Sequence, residues 1–251
     1  MKNIILVGSG NVATHLGIAL QNCNYKIVQV YSKSIKNAKE LAQKLDTYFT
    51  NDLTKLKTAD LIIVSVNDDA ISTVLSKLEN MAIVHTSGSI GIDVFEPKIS
   101  NFGVFYPLQT FNKNVELTIS EIPFCIEGNS KAFEKELIEI AKNLSSNVVT
   151  MSSTQRKQLH IAAVFACNFS NQMFSIAHDL LIEKDVDFKI LLPLIKQTIA
   201  KINTNKPKAV QTGPAKRKDI KLVQKHIDLI QQEDLKELYK KISNSIIKTH
   251  E

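Results

Sequence analysis

The sequence has little cysteine and no long hydrophobic run. Its three cysteines, Cys23, Cys125 and Cys167, lie far apart and show neither metal-ligand nor disulfide spacing. A scattered, odd set is typical of a reducing compartment, so we expect a cytoplasmic protein without a metal site. No apolar run approaches the roughly 20 residues that span a bilayer. The first run, directly after residue 3, has four residues and is too short for a signal peptide, so we expect no membrane association.

The chain also lacks a strong excess of one charge. Its 31 Lys and Arg residues and 25 Asp and Glu residues give a formal net charge of +6. The lysines alternate with acids along the chain, and the one tight basic cluster is Lys216, Arg217 and Lys218. A solvated lysine-rich surface is the first interpretation, and an anionic cofactor or substrate is the second. The cluster lacks interleaved aromatic residues and any nucleic-acid-binding motif, so we expect no nucleic-acid partner.

What the sequence does contain is a change of pattern near its middle. Continuous apolar runs such as Ile4–Val7 and Leu61–Val66 alternate with helical patterns as far as Met151. This alternation is typical of a parallel sheet covered by helices on both faces. After Met151 only helical patterns remain. We therefore predict an α/β fold in which a parallel-sheet domain, residues 1–152, precedes an all-α domain, residues 153–251.

The first apolar run ends in a glycine-rich turn. The segment GSGNVA matches the pattern G-x-G-x-x-A, follows a predicted strand and opens a predicted helix. In this context the pattern predicts a Rossmann dinucleotide-binding unit, because the first glycine allows a tight turn and the second lets a pyrophosphate approach the backbone. A glycine turn without a ligand is the alternative. The predicted cofactor-binding residues in this segment are Gly8, Ser9, Gly10, Asn11 and Val12.

The end of the second strand indicates which dinucleotide is bound. Proteins that prefer NAD(H) place Asp or Glu here to bind the ribose hydroxyls, whereas this chain has Ser32, Lys33 and Ser34. Hydroxyl donors and a cation suit the 2′-phosphate of NADP(H), so we predict NADP(H) rather than NAD(H). The alternative is that Lys33 is an ordinary surface lysine. Val66 and Asn67, after a later strand, are predicted to approach the nicotinamide ribose.

Three further segments carry a family resemblance. They read HTSGSIG, GVFYPLQTF and QTGPAKRKD, and begin at residues 85, 103 and 211. Together with the glycine-rich turn they resemble a bacterial family of Rossmann-like NADP oxidoreductases with a C-terminal helical domain of unknown function. That family is similar to pyrroline-5-carboxylate reductase and deazaflavin-dependent NADP reductases, and more distantly to 3-hydroxyacid dehydrogenases. The resemblance implies NADP(H) binding and a homodimer formed through the helical domain, but it supplies no substrate.

The resemblance also implies substrate-binding residues. A serine-glycine loop binds the substrate carboxylate in the 3-hydroxyacid dehydrogenases, so Ser87, Gly88 and Ser89 are candidates here; a turn that caps its own helix is the alternative. Tyr106 and Gln109 lie in a predicted polar loop after an apolar strand, where Tyr106 is predicted to close the site and Gln109 to reach the ligand. The alternative is that Tyr106 is a core aromatic residue.

The long helix after residue 152 contains the candidate proton donor. The 3-hydroxyacid dehydrogenases carry a lysine four residues before an asparagine on this helix, but here Val164 occupies that position before Asn168. His160 lies eight residues before Asn168, about 80° around an α-helix, and within about 20° of Asn171. We predict that His160 donates the proton and that Asn168 or Asn171 assists. The alternative is a structural histidine with asparagines that bond between helices.

The third segment supplies two more candidates. A small-residue loop with threonine reaches the active site across the dimer in pyrroline-5-carboxylate reductase, so Thr212 and Arg217 are predicted to bind substrate, Arg217 by pairing with a carboxylate. A helix connection with a solvated basic run is the alternative. The sequence thus predicts an NADP(H)-dependent oxidoreductase that reduces a small carbonyl or imine, one that bears a carboxylate. The rival hypothesis is an NADP(H)-binding redox sensor or regulatory protein without turnover.

Overall fold

The computed structural model describes residues 2–79 and 81–251. In the described part of the chain, eight strands form a single sheet with the order β3-β2-β1-β4-β5-β6-β7-β8. The strands are β1 (Asn3–Val7), β2 (Lys26–Tyr31), β3 (Tyr48–Thr50), β4 (Leu61–Val64), β5 (Ala82–His85), β6 (Phe102–Pro107), β7 (Phe124–Gly128) and β8 (Val148–Thr150).

The helices alternate with the strands up to β8 and then follow one another. They are α1 (Asn11–Asn22), α2 (Ile35–Lys44), α3 (Asp68–Leu75), α4 (Lys131–Leu144), α5 (Ser153–Ala163), α6 (Ser170–Ile182), α7 (Leu192–Ile202), α8 (Ile220–Leu229) and α9 (Glu233–Thr249). A π-helical segment, Val164–Phe169, joins α5 to α6. The long helix predicted after residue 152 is therefore continuous but contains a wider turn.

The sheet is buried on both faces, as its continuous apolar strands require. In β1, Ile4 and Leu6 belong to one hydrophobic cluster, whereas Ile5 and Val7 belong to another. Successive side chains of a strand point to opposite faces, so the two clusters lie on the two sides of the sheet. All four residues of β4 are buried as well. Helices are thus needed on both faces, which confirms the predicted α/β class.

The sheet departs from the prediction in two places. β1 to β6 are parallel, but β7 pairs antiparallel with β6, and β8 is parallel to β7. The predicted parallel sheet is therefore mostly parallel, and its last two strands run in the opposite direction to the other six. The short edge strand β3 was not predicted, because its Tyr48 and Phe49 are exposed and form no buried apolar run.

The chain forms two compact units, residues 1–173 and 174–251. The sheet ends near the predicted boundary at residue 152, but the first unit also includes α5. A side chain of this helix, Arg156, pairs with Glu127 of β7.

The second unit contains most of α6 and the three helices that follow. Asp187 caps a short 3-10 turn that precedes α7, and Asp219 caps α8. The connection between α7 and α8 contains one further 3-10 turn, Pro207–Val210. Among the described residues, no helix combines the length and the apolar character needed to cross a membrane.

Candidate active site

The glycine-rich turn after β1 has the geometry of a phosphate cradle. Gly8 has φ +131°, and a Cβ on it would lie 2.1 Å from the carbonyl oxygen of Ser65, so only glycine fits. A Cβ on Gly10 would meet nothing within 4 Å. The missing side chain at Gly10 thus leaves open space against the backbone, which is what a closely approaching pyrophosphate needs.

The start of α1 offers hydrogen-bond donors to the same space. No side chain caps the helix at Gly10, and its first turn contains no acidic residue. The unpaired amides and the helix dipole there favour an anion. Val12 lies in this first turn and is partly buried. The side chain of Asn11 instead bonds to the backbone of a distant loop, at Phe111 and Lys113.

An open cleft of about 800 Å³ continues from this turn to the ends of β2 and β4. Ser9 Oγ donates to Ser32 Oγ at 2.8 Å, which joins the glycine-rich turn to the end of β2. Ser34 Oγ accepts from the Asn37 amide and caps α2, so its hydroxyl proton stays available. The cleft-lining residues that the sequence predicted to bind cofactor are Gly8, Ser9, Gly10, Ser32, Lys33, Ser34, Val66 and Asn67.

These residues fit a dinucleotide that carries a 2′-phosphate. Three hydroxyl groups and one exposed lysine surround the end of β2, and no carboxylate follows the strand before α2 begins. Asn67 and Val66 lie at the carboxyl end of β4, beside the glycine-rich turn. In open α/β sheets, dinucleotides bind outside this edge at the point where strand order reverses, which here lies between β1 and β4.

The loop after β5 uses most of its own donors. Ser87 Oγ accepts hydrogen bonds from the amides of Ser89 and Ile90, at 3.0 and 3.1 Å, and the Ser87 amide donates to His85 Nδ1 at 3.2 Å. These hydrogen bonds are those expected from the alternative interpretation, in which the segment is a turn that caps itself. The amide of Gly88 and the hydroxyl protons of Ser87 and Ser89 are left for a ligand.

His85 itself is a buried structural residue. Its ring is fully buried and stacks on Phe95 with centroids 5.5 Å apart. Burial, and to a lesser extent the charge of Arg156, lowers the pKa of His85 to about 4. The imidazole is therefore neutral near pH 7, and because Nδ1 accepts from Ser87, its proton lies on Nε2.

The structure brings two predicted residues from different segments together. Tyr106 Oη lies 3.0 Å from His160 Nδ1, although α5 carries His160 and β6 carries Tyr106. Tyr106 is thus a buried strand residue and not part of a polar loop, because the apolar strand continues through Pro107. A Cβ on Gly88 would lie 2.6 Å from His160 Nδ1 and 2.8 Å from Tyr106 Cζ, so this glycine lets the pair pack over the loop.

Burial changes the acidity of the phenol in this pair. It raises the pKa of Tyr106 to about 12, with a smaller contribution from Cys125. The hydroxyl therefore remains protonated near neutral pH. A hydroxyl both donates and accepts, so Tyr106 can bond to His160 in the neutral and the protonated state of the imidazole.

A buried ion pair that the sequence analysis missed holds this helix against the loop. Arg156 has no exposed surface, and its Nη1 donates to Glu127 Oε2. Its Nη2 donates to the Ile90 carbonyl at 2.6 Å. Ser153 donates to Glu127 and accepts from the Ile92 amide. The same network thus fixes the loop after β5 and the first turns of α5, one turn before His160.

The remaining predicted site residues are less connected. Asn168 is exposed within the π-helical segment, and the i→i+5 pattern there changes the angular spacing assumed for an α-helix. Gln109 is exposed and accepts from Thr110 at 2.7 Å. In the second unit, Thr212 and Arg217 are exposed; the Thr212 carbonyl accepts from Gln211, and the Arg217 amide donates to Gly213.

Family comparison covers both parts of the chain. Residues 3–95 match the family described as NADP oxidoreductase coenzyme F420-dependent. Residues 122–246 match the domain of unknown function DUF2520.

Solved structures extend this comparison to the full length. A Bacteroides fragilis protein provisionally named an NADP oxidoreductase is 40% identical, with 98% of both chains covered and a TM-score of 0.91. A 1-pyrroline-5-carboxylate reductase from Streptococcus pyogenes is 14% identical, covers 99% of this chain and 98% of its own, and has a TM-score of 0.64. An imine reductase from Myxococcus stipitatus, in complex with NADP+, is 14% identical over 98% of this chain and 92% of its own, with a TM-score of 0.65. The similarity to the last two proteins, at 14% identity, is a similarity of fold.

A further similarity covers only part of its relatives. Glutamyl-tRNA reductases of Saccharolobus islandicus are 23% identical over 160 residues, which make up 63% of this chain and 33% of theirs. The chain therefore spans about a third of the length of these curated relatives.

The resemblance inferred from the sequence motifs is confirmed by these matches. At 40% identity over 98% of both chains, the Bacteroides fragilis protein is a close relative. The chain belongs to the Rossmann-type NADP oxidoreductase family that combines a coenzyme F420-dependent NADP oxidoreductase domain with the domain DUF2520.

Proposed function

We propose that this protein is an NADP(H)-dependent oxidoreductase that reduces a small carbonyl or imine bearing a carboxylate. The observation that carries the proposal is the contact between Tyr106 and His160 at the carboxyl edge of the sheet that also bears the glycine-rich turn. When bound, NADPH supplies a hydride to the carbon of a C=O or C=N bond. The remaining requirement is a proton for the oxygen or nitrogen atom of that bond.

His160 is the proposed source of this proton. Its Nδ1 is engaged by Tyr106, so Nε2 is the ring atom that remains to face a substrate. A protonated imidazole donates from Nε2, and the proton that remains on Nδ1 continues to donate to the Tyr106 oxygen, which holds the neutral ring in that tautomer. The ring is partly exposed, which gives a substrate access to it.

The loop after β5 is the proposed site for the substrate carboxylate. The free amide of Gly88 and the hydroxyls of Ser87 and Ser89 lie where this loop packs against His160. An anion that binds there would place its carbonyl or imine carbon near the imidazole. Gln109 and Asn168 are proposed as additional polar contacts. The roles of Thr212 and Arg217 in binding substrate stay predictions.

The test is NADPH oxidation with a panel of cyclic imino acids and 2-keto acids, each paired with its analogue lacking the carboxylate. We expect turnover with the carboxylates and a loss of about a hundredfold or more for His160→Gln, the usual contribution of an acid catalyst. His226→Gln is the matched control, because His226 also bonds to a tyrosine, Tyr239, at 2.7 Å. NADPH binding without turnover across the panel would favour the sensor hypothesis.

We also propose a cytoplasmic homodimer formed through the helical C-terminal region. The second unit exposes large apolar side chains, among them Ile190 at 69% and Leu194 at 63%. A concentration of exposed apolar side chains is typical of an interface. Light scattering should give twice the chain mass for the wild type and a smaller mass for Leu194→Glu. A wild-type monomer at all concentrations would contradict the proposal.

A further inference from the structure

The loop after β6 is attached to the start of α1 by side chains of that helix. Asn11 Nδ2 donates to the Phe111 carbonyl at 3.0 Å, and the Lys113 amide donates to Asn11 Oδ1 at 3.2 Å. His15 Nε2 lies 2.9 Å from the Asn112 carbonyl. Three consecutive loop residues are therefore bonded to two residues of one helix.

This attachment fixes a loop that the sequence alone would leave free. Both polar atoms of the Asn11 side chain are used by the loop, so the side chain has a structural role, whereas its backbone amide still belongs to the phosphate cradle. The His15 and Phe111 rings also pack, with centroids 5.6 Å apart. Lys113 therefore has a defined backbone position beside the glycine-rich turn.

Lys113 lines a second, smaller cleft of about 410 Å³. Ser9 and Asn37 line both this cleft and the larger cleft beside the glycine-rich turn. Ser9 is also the residue whose hydroxyl donates to Ser32. The hydrogen-bonded pair Ser9 and Ser32 therefore has a lysine on each side. Lys33 lines the larger cleft and Lys113 lines the smaller one.

The charges around the smaller cleft leave the ammonium group of Lys113 available to bind an anion. Glu40 and Lys44 also line this cleft. The Glu40 carboxylate lies 4.0 Å from Lys36 Nζ, which compensates its charge in part. Among the described residues, Lys113 forms no ion pair within 4.0 Å.

We infer that Lys113 is a specificity residue whose ammonium group completes the binding site for the 2′-phosphate of NADP(H), together with Ser9, Ser32 and Lys33. The inference rests on the proposed NADP(H) preference. In this arrangement, the hydrogen bonds of Asn11 and His15 to the loop hold Lys113 in position. Lys113 is far in sequence from the other proposed phosphate ligands.

The experiment is titration of the full chain with NADPH and with NADH, followed by nicotinamide fluorescence, for the wild type and Lys113→Ala. A charge-assisted bond to phosphate corresponds to a loss of about tenfold or more in NADPH affinity. NADH has no 2′-phosphate, so its affinity should change less than about twofold. His15→Ala, which frees the Asn112 carbonyl, should lower NADPH affinity in the same direction by a smaller factor.

Lys135→Ala is the matched control, because it removes the same charge from an exposed position on α4. It should leave both affinities unchanged. An equal loss of NADPH and NADH affinity in Lys113→Ala would assign the lysine to the pyrophosphate and overturn the inference, as would unchanged NADPH affinity. A wild-type protein that binds neither nucleotide would instead refute the proposed function, and the inference with it.

Discussion

Tyr106 and His160 are joined by a hydrogen bond of 3.0 Å, with their rings inclined at 70°. One residue lies on a strand and the other on a helix, and the absent side chain of Gly88 allows both rings to pack against the loop after β5. The pair therefore depends on three separate segments of the chain. Its geometry determines which ring nitrogen of His160 is available for chemistry.

Replacing Tyr106 with phenylalanine tests this dependence. Tyr106→Phe removes only the hydroxyl, so we expect the fold and NADPH affinity to be kept while kcat falls about tenfold, less than the loss of about a hundredfold or more expected when an acid-base group itself is removed. The pKa of Tyr106, raised to about 12, keeps the phenol neutral at ordinary pH. The phenol therefore does not ionise in the range of the assay, and the loss of rate measures its hydrogen bond to His160. An unchanged rate would mean that the hydroxyl serves packing alone.

Gly10→Ala separates cofactor binding from folding. Gly10 has φ −80°, which alanine adopts without strain, and its Cβ would meet no atom within 4 Å. We expect an unchanged thermal midpoint but a loss of about tenfold or more in NADPH affinity, since the methyl group occupies the approach of the pyrophosphate. Gly8→Ala is the contrasting variant, because its φ of +131° and its contact with Ser65 should destabilise the fold by about 1–3 kcal/mol. Normal NADPH affinity in Gly10→Ala would show that no phosphate approaches there.

The ion pair of Glu127 and Arg156 should dominate the stability of the region around α5. Glu127→Gln leaves the fully buried guanidinium without its counter-charge, so we expect a loss of about 3 kcal/mol or more in the free energy of unfolding. Glu134→Gln, which breaks a pair with the exposed Lys131, should cost less than about 1 kcal/mol. Urea denaturation of both variants measures the difference. Similar small losses in the two variants would show that Arg156 is hydrated in solution.

His85 should make stability depend on pH below neutrality. Its pKa is lowered from 6.5 to about 4 in the folded state, so as pH falls the unfolded chain binds the proton first. The contribution is full above pH 6.5 and is lost by about pH 4, and it amounts to about 3 kcal/mol. His85→Gln should lack this part of the pH dependence in urea denaturation performed between those values. Asp52 and Glu233 also have a lowered pKa, but their effect on stability is the same in the wild type and in His85→Gln.

The fold could be predicted wherever a strand is buried on both faces. Leu61–Val64 is an unbroken apolar run and forms β4, whereas Tyr48–Thr50 is a short edge strand with two exposed aromatic residues and gave no comparable pattern. The direction of β7 could not be predicted, because its apolar residues, Phe124–Ile126, would be buried whichever way the strand runs. Strand direction follows from the connection, and the loop between β6 and β7 carries no signal for it.

The candidate site could be predicted in pieces but not as a whole. The glycine-rich turn has a local pattern, so Gly8 and Gly10 were found directly. Tyr106 and His160 were singled out separately, because a contact between residues 54 positions apart leaves no local pattern. Arg156 and Glu127 were missed since charged residues are rarely fully buried. The angle calculated between His160 and Asn168 assumed a regular α-helix and could not anticipate the π-helical segment that contains Asn168.

The reversed direction of β7 and β8 determines where the next helix starts. Glu127 is paired with Val104 near the beginning of β6, and Ser153 and Arg156 bond to Glu127, so α5 begins beside the amino end of that strand. Four residues of helix advance about 6 Å, close to the roughly 6.6 Å that separates Val104 from Tyr106 along β6. The helix therefore runs alongside β6 in the same direction, and His160 lies at the carboxyl edge of the sheet, where the nucleotide is proposed to bind. If all eight strands were parallel, the last strand would end at this carboxyl edge, and the helix after it would run away from the nucleotide.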